Sequence, residues 1–163
     1  MNKKLERMLK EYPQMVLERN TLKHQLAHFK GLTAEEVIES MYTPRMDGER
    51  VQTSNISDKT AQIAMTYQER MDRINREWYE YLERRLMILN DDIVFFENAL
   101  TALPSPYSEI MQDMILHQVV WDALEVKYSV CRMTLNRYRK KALNDLSQLY
   151  DHHEQETAAY LLS

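Results

Sequence analysis

Six basic side chains and no acidic one lie between positions 127 and 144 of this chain. The bases are Lys127, Arg132, Arg137, Arg139, Lys140 and Lys141. The 163 residues together contain 21 Lys and Arg against 25 Asp and Glu, a formal net charge of -4, so this positive charge is local. Guanidinium and ammonium groups bind phosphates and the hydrogen-bond acceptor atoms of nucleobases, and the segment therefore predicts a contact with nucleic acid.

The basic segment has two chemically different faces at helical spacing. The apolar face carries Leu135, Tyr138, Ala142, Leu146 and Leu149. The opposite face carries Arg132, Met133, Asn136, Arg137 and Lys140. In a major groove, arginine can bind O6 and N7 of guanine, and asparagine can bind N6 and N7 of adenine. Three further bases, Lys127, Arg139 and Lys141, lie off this face and would contact phosphates.

The predicted DNA-binding residues are therefore Lys127, Arg132, Met133, Thr134, Asn136, Arg137, Arg139, Lys140 and Lys141. The alternative interpretation is a solvated basic face on an ordinary helix. It does not account for the absence of acids from residues 127–144, or for the turn that precedes the helix. An RNA contact is less favoured, because the basic face has no aromatic side chain on which bases could stack.

Three short helices are predicted around this segment, after the boundary sequence LPSP at 103–106. The first spans about 106–117 and is capped by Ser105, the second spans about 118–127, and the third runs from 131 to about 150. A break at Tyr128-Ser129-Val130 separates the second helix from the third. A short helix, a three-residue turn and a basic helix are the layout of a helix-turn-helix.

The longest predicted helix begins at a cap on Ser57 and continues to about Ala102. Its apolar positions are Tyr67, Met71, Ile74, Trp78, Leu82, Leu86, Leu89, Ile93, Phe96, Leu100 and Leu103. This spacing is a heptad repeat with one stutter. At about 1.5 Å per residue the helix would be a rod of about 70 Å, too long for the N-terminal helix to cover. The pattern favours a homodimer; the alternative is a monomeric bundle whose C-terminal helices pack back along the rod.

The N-terminal part is predicted to begin with a helix over about 3–30, kinked or split at Pro13 and stopped by a left-handed Gly31. A T-x-x-E capping box then opens a short helix over about 33–41. Residues 42–55 have no periodicity and predict a loop. The SNISDKT segment that follows is either a polar helix cap or a hinge that orients the rod.

Composition predicts an all-α fold, because the chain has only 2 Gly and 4 Pro and is rich in helix formers. We expect a helical N-terminal and dimerisation region at 1–102, a small helix-turn-helix domain at 103–150 and an acidic C-terminal tail at 151–163. A single Cys excludes an internal disulfide and favours a reducing compartment. No apolar run reaches the roughly 20 residues of a membrane helix, and the charged N-terminus is unlike a signal peptide, so we expect a cytoplasmic protein.

No pattern typical of an enzyme is visible: the chain has no glycine-rich phosphate loop, nucleophile elbow or evident carboxylate pair. His24 and His28 have the four-residue spacing of a metal pair. The glutamate of an H-E-x-x-H motif is missing, because Gln25 follows His24, and no third ligand is close in sequence. We therefore expect no catalytic residue, cofactor or metal.

The stretch WDALEVKYSVCRMTLNRYRKKAL, which begins at Trp121, resembles the helix-turn-helix of sigma-factor region four. The matching positions are Trp121, Leu124, Tyr128, Val130, Thr134, Leu135, Arg137, Ala142 and Leu143. Two positions depart from the pattern. Glu125 stands where the pattern has a small Ala, and we expect Val126 to take the buried place through a one-residue shift. Cys131 replaces the usual Ser cap, which should weaken that cap.

A second resemblance covers roughly residues 5–150. An early EYP, then TP, a Gly, and VQTSNISDKTAQIA before the long helix resemble the phage late-gene transcriptional activators of the RinA type. This resemblance implies an activator of phage structural or packaging genes in a bacterial host cell. Its partners would be double-stranded DNA and host RNA polymerase, in addition to a second copy of the chain.

Two other classes of protein remain open at this point. A small terminase subunit also joins a helix-turn-helix to long helices, but it packages DNA and assembles into rings. A coiled-coil interaction protein, such as an inhibitor of a host complex, would use the basic helix to bind an acidic protein. The oligomeric state would distinguish the first, and competition by duplex DNA would distinguish the second.

Overall fold

The computed structural model describes residues 1–33, 35, 36, 39 and 56–163, with the backbone alone from 56 to 65. Five helices are bounded within these residues, which contain no strand. The helices are α1 (Lys3–Ala27), α2 (Ile56–Ala102), α3 (Tyr107–Ile115), α4 (Trp121–Tyr128) and α5 (Arg132–Leu161). The all-α fold class, with one very long helix followed by shorter ones, is confirmed. The predicted loop at 42–55 lies outside the described residues, as does the predicted end of the short helix near Met41.

The chain forms two compact units. The first consists of Met1–Thr21 and Met87–Ser163, and the second of Leu22–Leu86. Both α1 and α2 therefore contribute to both units. The predicted boundaries after residues 102 and 150 both fall inside the first unit, and the division into three domains stays a prediction.

The core of the first unit is built by α1, the end of α2, and α5, with Met111 of α3. The apolar side chains of α1 recur at steps of three and four, as one buried stripe requires. The fully or nearly buried members of this core include Leu5, Met8, Tyr12, Ile93, Phe96, Leu100, Ala142 and Leu146. Burying one such large side chain contributes roughly 1.5–3 kcal/mol. Along this part of α2, the stripe predicted from the heptad spacing is thus covered by α1 and α5 of the same chain.

Pro13 lies inside a continuous α1, so the predicted split at this residue is wrong. Pro13 is exposed, and it has no N–H to donate to the carbonyl one turn earlier. At the next boundary, α3 begins at Tyr107, and no side chain caps it. Ser105 is therefore not the cap that was predicted. The hydroxyl of Ser108 instead donates to the carbonyl of Leu100 at 2.9 Å, joining the start of α3 to the end of α2.

Helix α5 continues eleven residues beyond the predicted end near Tyr150. The side-chain amide of Asn2 donates to Asp151 Oδ1 at 2.7 Å and to Glu154 Oε2 at 3.0 Å. His153 stacks on Phe95 of α2, with ring centroids 4.4 Å apart. These contacts hold the first residues beyond Tyr150 in the helix, so they are part of the fold rather than a solvated tail.

The second unit contains the connection after α1. Gly31 has the predicted left-handed conformation, with a φ of 72°, but α1 already ends at Ala27, so Gly31 is not the residue that stops the helix. The amide of Leu32 donates to Asn75 Oδ1 at 2.7 Å. Thr33 and Glu36 form the predicted capping box, with the Thr33 amide 2.8 Å from the Glu36 carboxylate. At the other end of the connection, α2 begins at Ile56, so Ser57 lies within the helix rather than at its cap.

Trp78 departs from the predicted apolar stripe, because 50% of its surface is exposed. Its indole stacks on Tyr81 of the same helix, with centroids 5.7 Å apart, instead of entering a core. Leu82, one turn further along, is buried as predicted. The heptad pattern therefore identifies the helix correctly, but not the burial of each member.

Candidate nucleic-acid interface

Helices α3, α4 and α5 share a small core of their own. Each contributes one fully buried side chain: Ile110, Leu124 and Leu135. The partly buried side chains around them are Met114, Val119, Trp121, Tyr128, Val130 and Tyr138. This core fixes α4 and α5 relative to each other, as a helix-turn-helix requires.

The turn between α4 and α5 is a Schellman motif. Ser129 has φ 53° and ψ 42°, and its amide donates to the Val126 carbonyl at 3.3 Å. The amide of Val130 reaches back to the Glu125 carbonyl at 3.2 Å. The left-handed position is usually glycine, because any Cβ is crowded there. The predicted three-residue turn is thus present, with a serine at its strained position.

Helix α4 does not have the one-residue shift that was predicted to bury Val126. Val126 is 81% exposed, whereas Leu124 is fully buried. The shift is wrong because Leu124 and Tyr128, four residues apart, lie on the side of α4 that faces the shared core. Glu125 is half-buried between the two faces.

Cys131 is the N-cap residue of α5, and its side chain makes no capping hydrogen bond. Its carbonyl accepts the Thr134 and Leu135 amides at 2.9 and 3.1 Å, so its backbone supports the first turn. The Thr134 hydroxyl, 3.3 Å from Sγ, is the main cause of a lowered pKa of the Cys131 thiol, and backbone N–H groups of the first turn add to it. The weak cap predicted from the serine replacement is consistent with this geometry.

Asp113 is a buried acid that the sequence analysis missed. Its carboxylate accepts a hydrogen bond from the Tyr128 hydroxyl at 2.6 Å and another from the ammonium of Lys127. The His117 ring lies 3.0 Å from its other oxygen. The Lys127 and Tyr128 hydrogen bonds lower the pKa of Asp113 to about 2. The available signal was its position three residues after the buried Ile110, which places it on the core side of α3.

The five residues predicted to face DNA are all exposed on one side of α5. They are Arg132, Met133, Asn136, Arg137 and Lys140. Met133, an apolar side chain, is 69% exposed. The side of α5 turned inward carries the buried Leu135, Ala142 and Leu146. Thr134, the remaining member of the first turn, is half-buried and touches Cys131.

Arg132 is positioned by the first turn of α4. Its guanidinium lies 5.5 Å from the centre of the Trp121 ring and 3.6 Å from the Asp122 carboxylate. The ion pair is exposed on both sides, so it contributes little to stability. The stacking contact orients a planar group with five donors, which is the group best suited to a guanine edge.

The three bases predicted to reach phosphates have different surroundings. Lys127 is bound to Asp113, with about half of its side chain still exposed. Lys141 lies 5.0 Å from the centre of the Tyr107 ring. Arg139 is only half-exposed and lines a groove that also contains Trp121. The structure therefore brings all three to the helix-turn-helix, but each has a protein contact as well.

The described residues contain no group of three or more His, Cys, Asp or Glu side chains that could hold a metal. His24 and His28 stack on each other with centroids 4.3 Å apart, and Nδ1 of His28 lies 3.0 Å from the His24 carbonyl. Within the same residues, the helices are too polar or too short to cross a membrane. Comparisons with protein-family models, with curated proteins and with solved structures find no match to this chain.

Proposed function

We propose that the protein is a sequence-specific DNA-binding regulator of transcription that inserts the first half of α5 into a major groove. The observation that carries this proposal is the exposed face of Arg132, Asn136, Arg137 and Lys140 on α5, directly after the turn of the helix-turn-helix. The face has no acid, although the chain as a whole is acidic. Such a surface has a clear physical use in binding a polyanion with donors that discriminate between bases.

Each residue of the face has a distinct chemical role in this proposal. Arg132 and Arg137 bind guanine edges, Asn136 binds adenine, and the exposed Met133 packs on a thymine methyl group. Lys140 and Lys141 bind phosphates and set the position of the helix on the duplex. These roles use only side chains that are exposed at the start of α5.

The resemblance to RinA-type activators extends the proposal to a regulator of phage or prophage late genes in the bacterial cytoplasm. A homodimer would place two copies of α5 on paired half-sites. Host RNA polymerase would then be the partner that converts DNA binding into activation. These three statements rest on the resemblance and on the heptad spacing of α2.

Selection of bound duplexes from a random DNA pool, at near-physiological salt, tests the proposal. The purified chain should recover a defined site, and a paired site would give the half-site spacing. Recovery of no motif, with binding that disappears as salt rises, would contradict sequence-specific regulation. A ring-shaped assembly of many copies would instead indicate a packaging protein of the terminase type.

A further inference from the structure

A groove of about 510 Å³ lies beside the helix-turn-helix, within the first unit. Its apolar lining includes Leu9, Pro13, Met114, Ile115 and Trp121. Two cations, Lys10 and Arg139, complete the lining together with Gln118, and none of the lining residues is acidic. The groove is therefore both apolar and positively charged.

The two cations of the groove are available to a ligand. Neither Lys10 nor Arg139 forms an ion pair with any residue that the structure describes. A guanidinium next to an apolar wall is stabilised when a carboxylate binds it in a partly dehydrated place. The groove thus favours an apolar segment that also carries an acid.

The last turns of α5 have this chemistry, and the one ion pair of their acid, Glu156 with His152 at 3.3 Å on the same helix, is exposed on both sides and therefore weak. Tyr160, Leu161 and Leu162 are 80%, 76% and 89% exposed. Glu156 lies one turn earlier, and no base follows Lys141 in the sequence. Exposing three consecutive large apolar side chains to water is unfavourable, and we expect another surface to cover them.

The groove of the same copy is out of reach of this segment. Arg139 and Tyr160 belong to one continuous helix and lie 21 positions apart. At about 1.5 Å per residue they are separated by about 32 Å along its axis. The helix would have to break for its end to return to its own groove, so only another copy could bring this segment to the groove.

We propose that residues 156–162 of one copy bind in the groove of a second copy, with Glu156 facing Arg139 and the apolar tip on Trp121 and Ile115. By two-fold symmetry, each copy would give its helix end and receive the partner's. This assigns Arg139 to a contact between copies rather than to a phosphate. The proposal goes beyond DNA binding and does not depend on it, because Arg132 and Arg137 do not line the groove, although Trp121 contacts Arg132 as well.

Sedimentation equilibrium of the full chain without DNA tests this contact. The unmodified protein should form a reversible dimer. Replacing Leu161 and Leu162 together by Ser should raise the dimer dissociation constant at least about tenfold, because these side chains supply the apolar contact. Both are exposed in a single copy, so folding should be unaffected. Leu17→Ser removes a 59% exposed leucine outside the groove and should leave the dissociation constant unchanged.

Charge reversal provides a second measurement. Arg139→Glu should weaken the dimer, and adding Glu156→Arg should restore it at least about tenfold. Lys140 is exposed at the neighbouring position and lies outside the groove. When Glu156→Arg is added to Lys140→Glu, the dimer should not become tighter. A monomer at every soluble concentration, or a dimer insensitive to Leu161, Leu162 and Arg139, would overturn the contact. Selection of DNA by the Leu161 and Leu162 variant is scored separately, so failure of this contact and failure of DNA binding are distinguishable.

Discussion

The Tyr128 hydroxyl donates a hydrogen bond to the Asp113 carboxylate at 2.6 Å, which joins the last residue of α4 to the second half of α3. Lys127, the preceding residue, binds the same carboxylate oxygen. Asp113 has only 7% of its surface exposed, and its charge is therefore neutralised by a direct partner rather than by water. This contact fixes the end of α4 immediately before the turn that presents α5.

Removing the Tyr128 hydroxyl should destabilise the protein. Tyr128→Phe leaves a buried carboxylate with one donor fewer, which we expect to cost about 1–2 kcal/mol in the free energy of unfolding. Urea unfolding followed by circular dichroism would measure the difference. Tyr138→Phe is the matched control, because Tyr138 packs around the same core without a hydrogen bond from its hydroxyl to a described residue. Equal losses for the two variants would contradict a role for the Asp113 contact.

Asp113 also predicts how stability depends on pH. Its pKa falls from 3.8 to about 2 in the folded chain, mainly because Lys127 and Tyr128 donate to it. The depressed pKa means that its contribution is fully present above the unfolded pKa, near pH 4, and is lost as pH falls through about 2. The loss should be about 2 kcal/mol.

Comparison with Asp113→Asn isolates this contribution from the other acids. The unmodified protein should lose about 2 kcal/mol more than the variant between pH 4 and pH 2, in urea unfolding at each pH. Asp122→Asn removes an exposed acid of the same segment and should follow the unmodified protein. If the free energies of unfolding of Asp113→Asn and of the unmodified chain fall equally with pH, protonation of Asp113 does not affect stability.

The sequence predicts the helices well wherever apolar residues recur without interruption. Leu135, Ala142 and Leu146 are buried on the face where their spacing puts them. It does not predict Asp113, because an acid in a short amphipathic helix is ordinarily exposed. Its spacing from Ile110 indicates only the side of α3 on which it lies, whereas the partner that balances its charge, Lys127, comes from the next helix and is not part of that local pattern.

The end of α5 shows the same limit. After Tyr150 the apolar spacing stops, and this spacing predicts the end of the helix there, although the segment is rich in the helix formers Glu, Gln, Ala and Leu. The helix continues because Asn2, at the other end of the chain, binds Asp151 and Glu154. The exposed basic face was easier to predict, since an outward-facing side chain needs no partner to hold its position. The surroundings of Arg139, by contrast, depend on α1 and could not be predicted from α5 alone.

Replacing Ser129 by glycine should stabilise the protein. Ser129 occupies the left-handed position of the turn, with φ 53°, where a Cβ is crowded by the following carbonyl. Ser129→Gly should raise the free energy of unfolding by about 0.5–1 kcal/mol, because relief of this strain exceeds the added freedom of the unfolded chain. Ser129→Val should lower it, since a branched Cβ is more crowded still.

Gln148→Gly tests whether the gain at Ser129 is specific to the left-handed position. Gln148 is exposed within α5, so glycine there should cost about 0.5–1 kcal/mol. Both variants can be compared by thermal unfolding. A loss of stability in Ser129→Gly, similar to that of Gln148→Gly, would mean that the turn does not strain the serine.

The proposed DNA face predicts two kinds of substitution effect. Arg137→Ala should weaken binding to the selected site by about 1–3 kcal/mol and relax the preference at one base pair, because a guanidinium reads the base edge. Lys141→Ala should weaken binding to all duplexes alike and reduce the dependence of affinity on salt, because an ammonium binds phosphate. Fluorescence anisotropy with selected and scrambled duplexes at several salt concentrations separates the two effects.

Lys3→Ala is the control for the loss of one positive charge. Lys3 is exposed on α1, outside the helix-turn-helix, and its removal should change affinity by less than either substitution on α5. Arg137 reads a base only if its removal alters the ranking of duplexes, since a change in total charge lowers every affinity together. If Arg137→Ala, Lys141→Ala and Lys3→Ala weaken both duplexes equally, α5 does not read sequence, and its basic face contributes only charge.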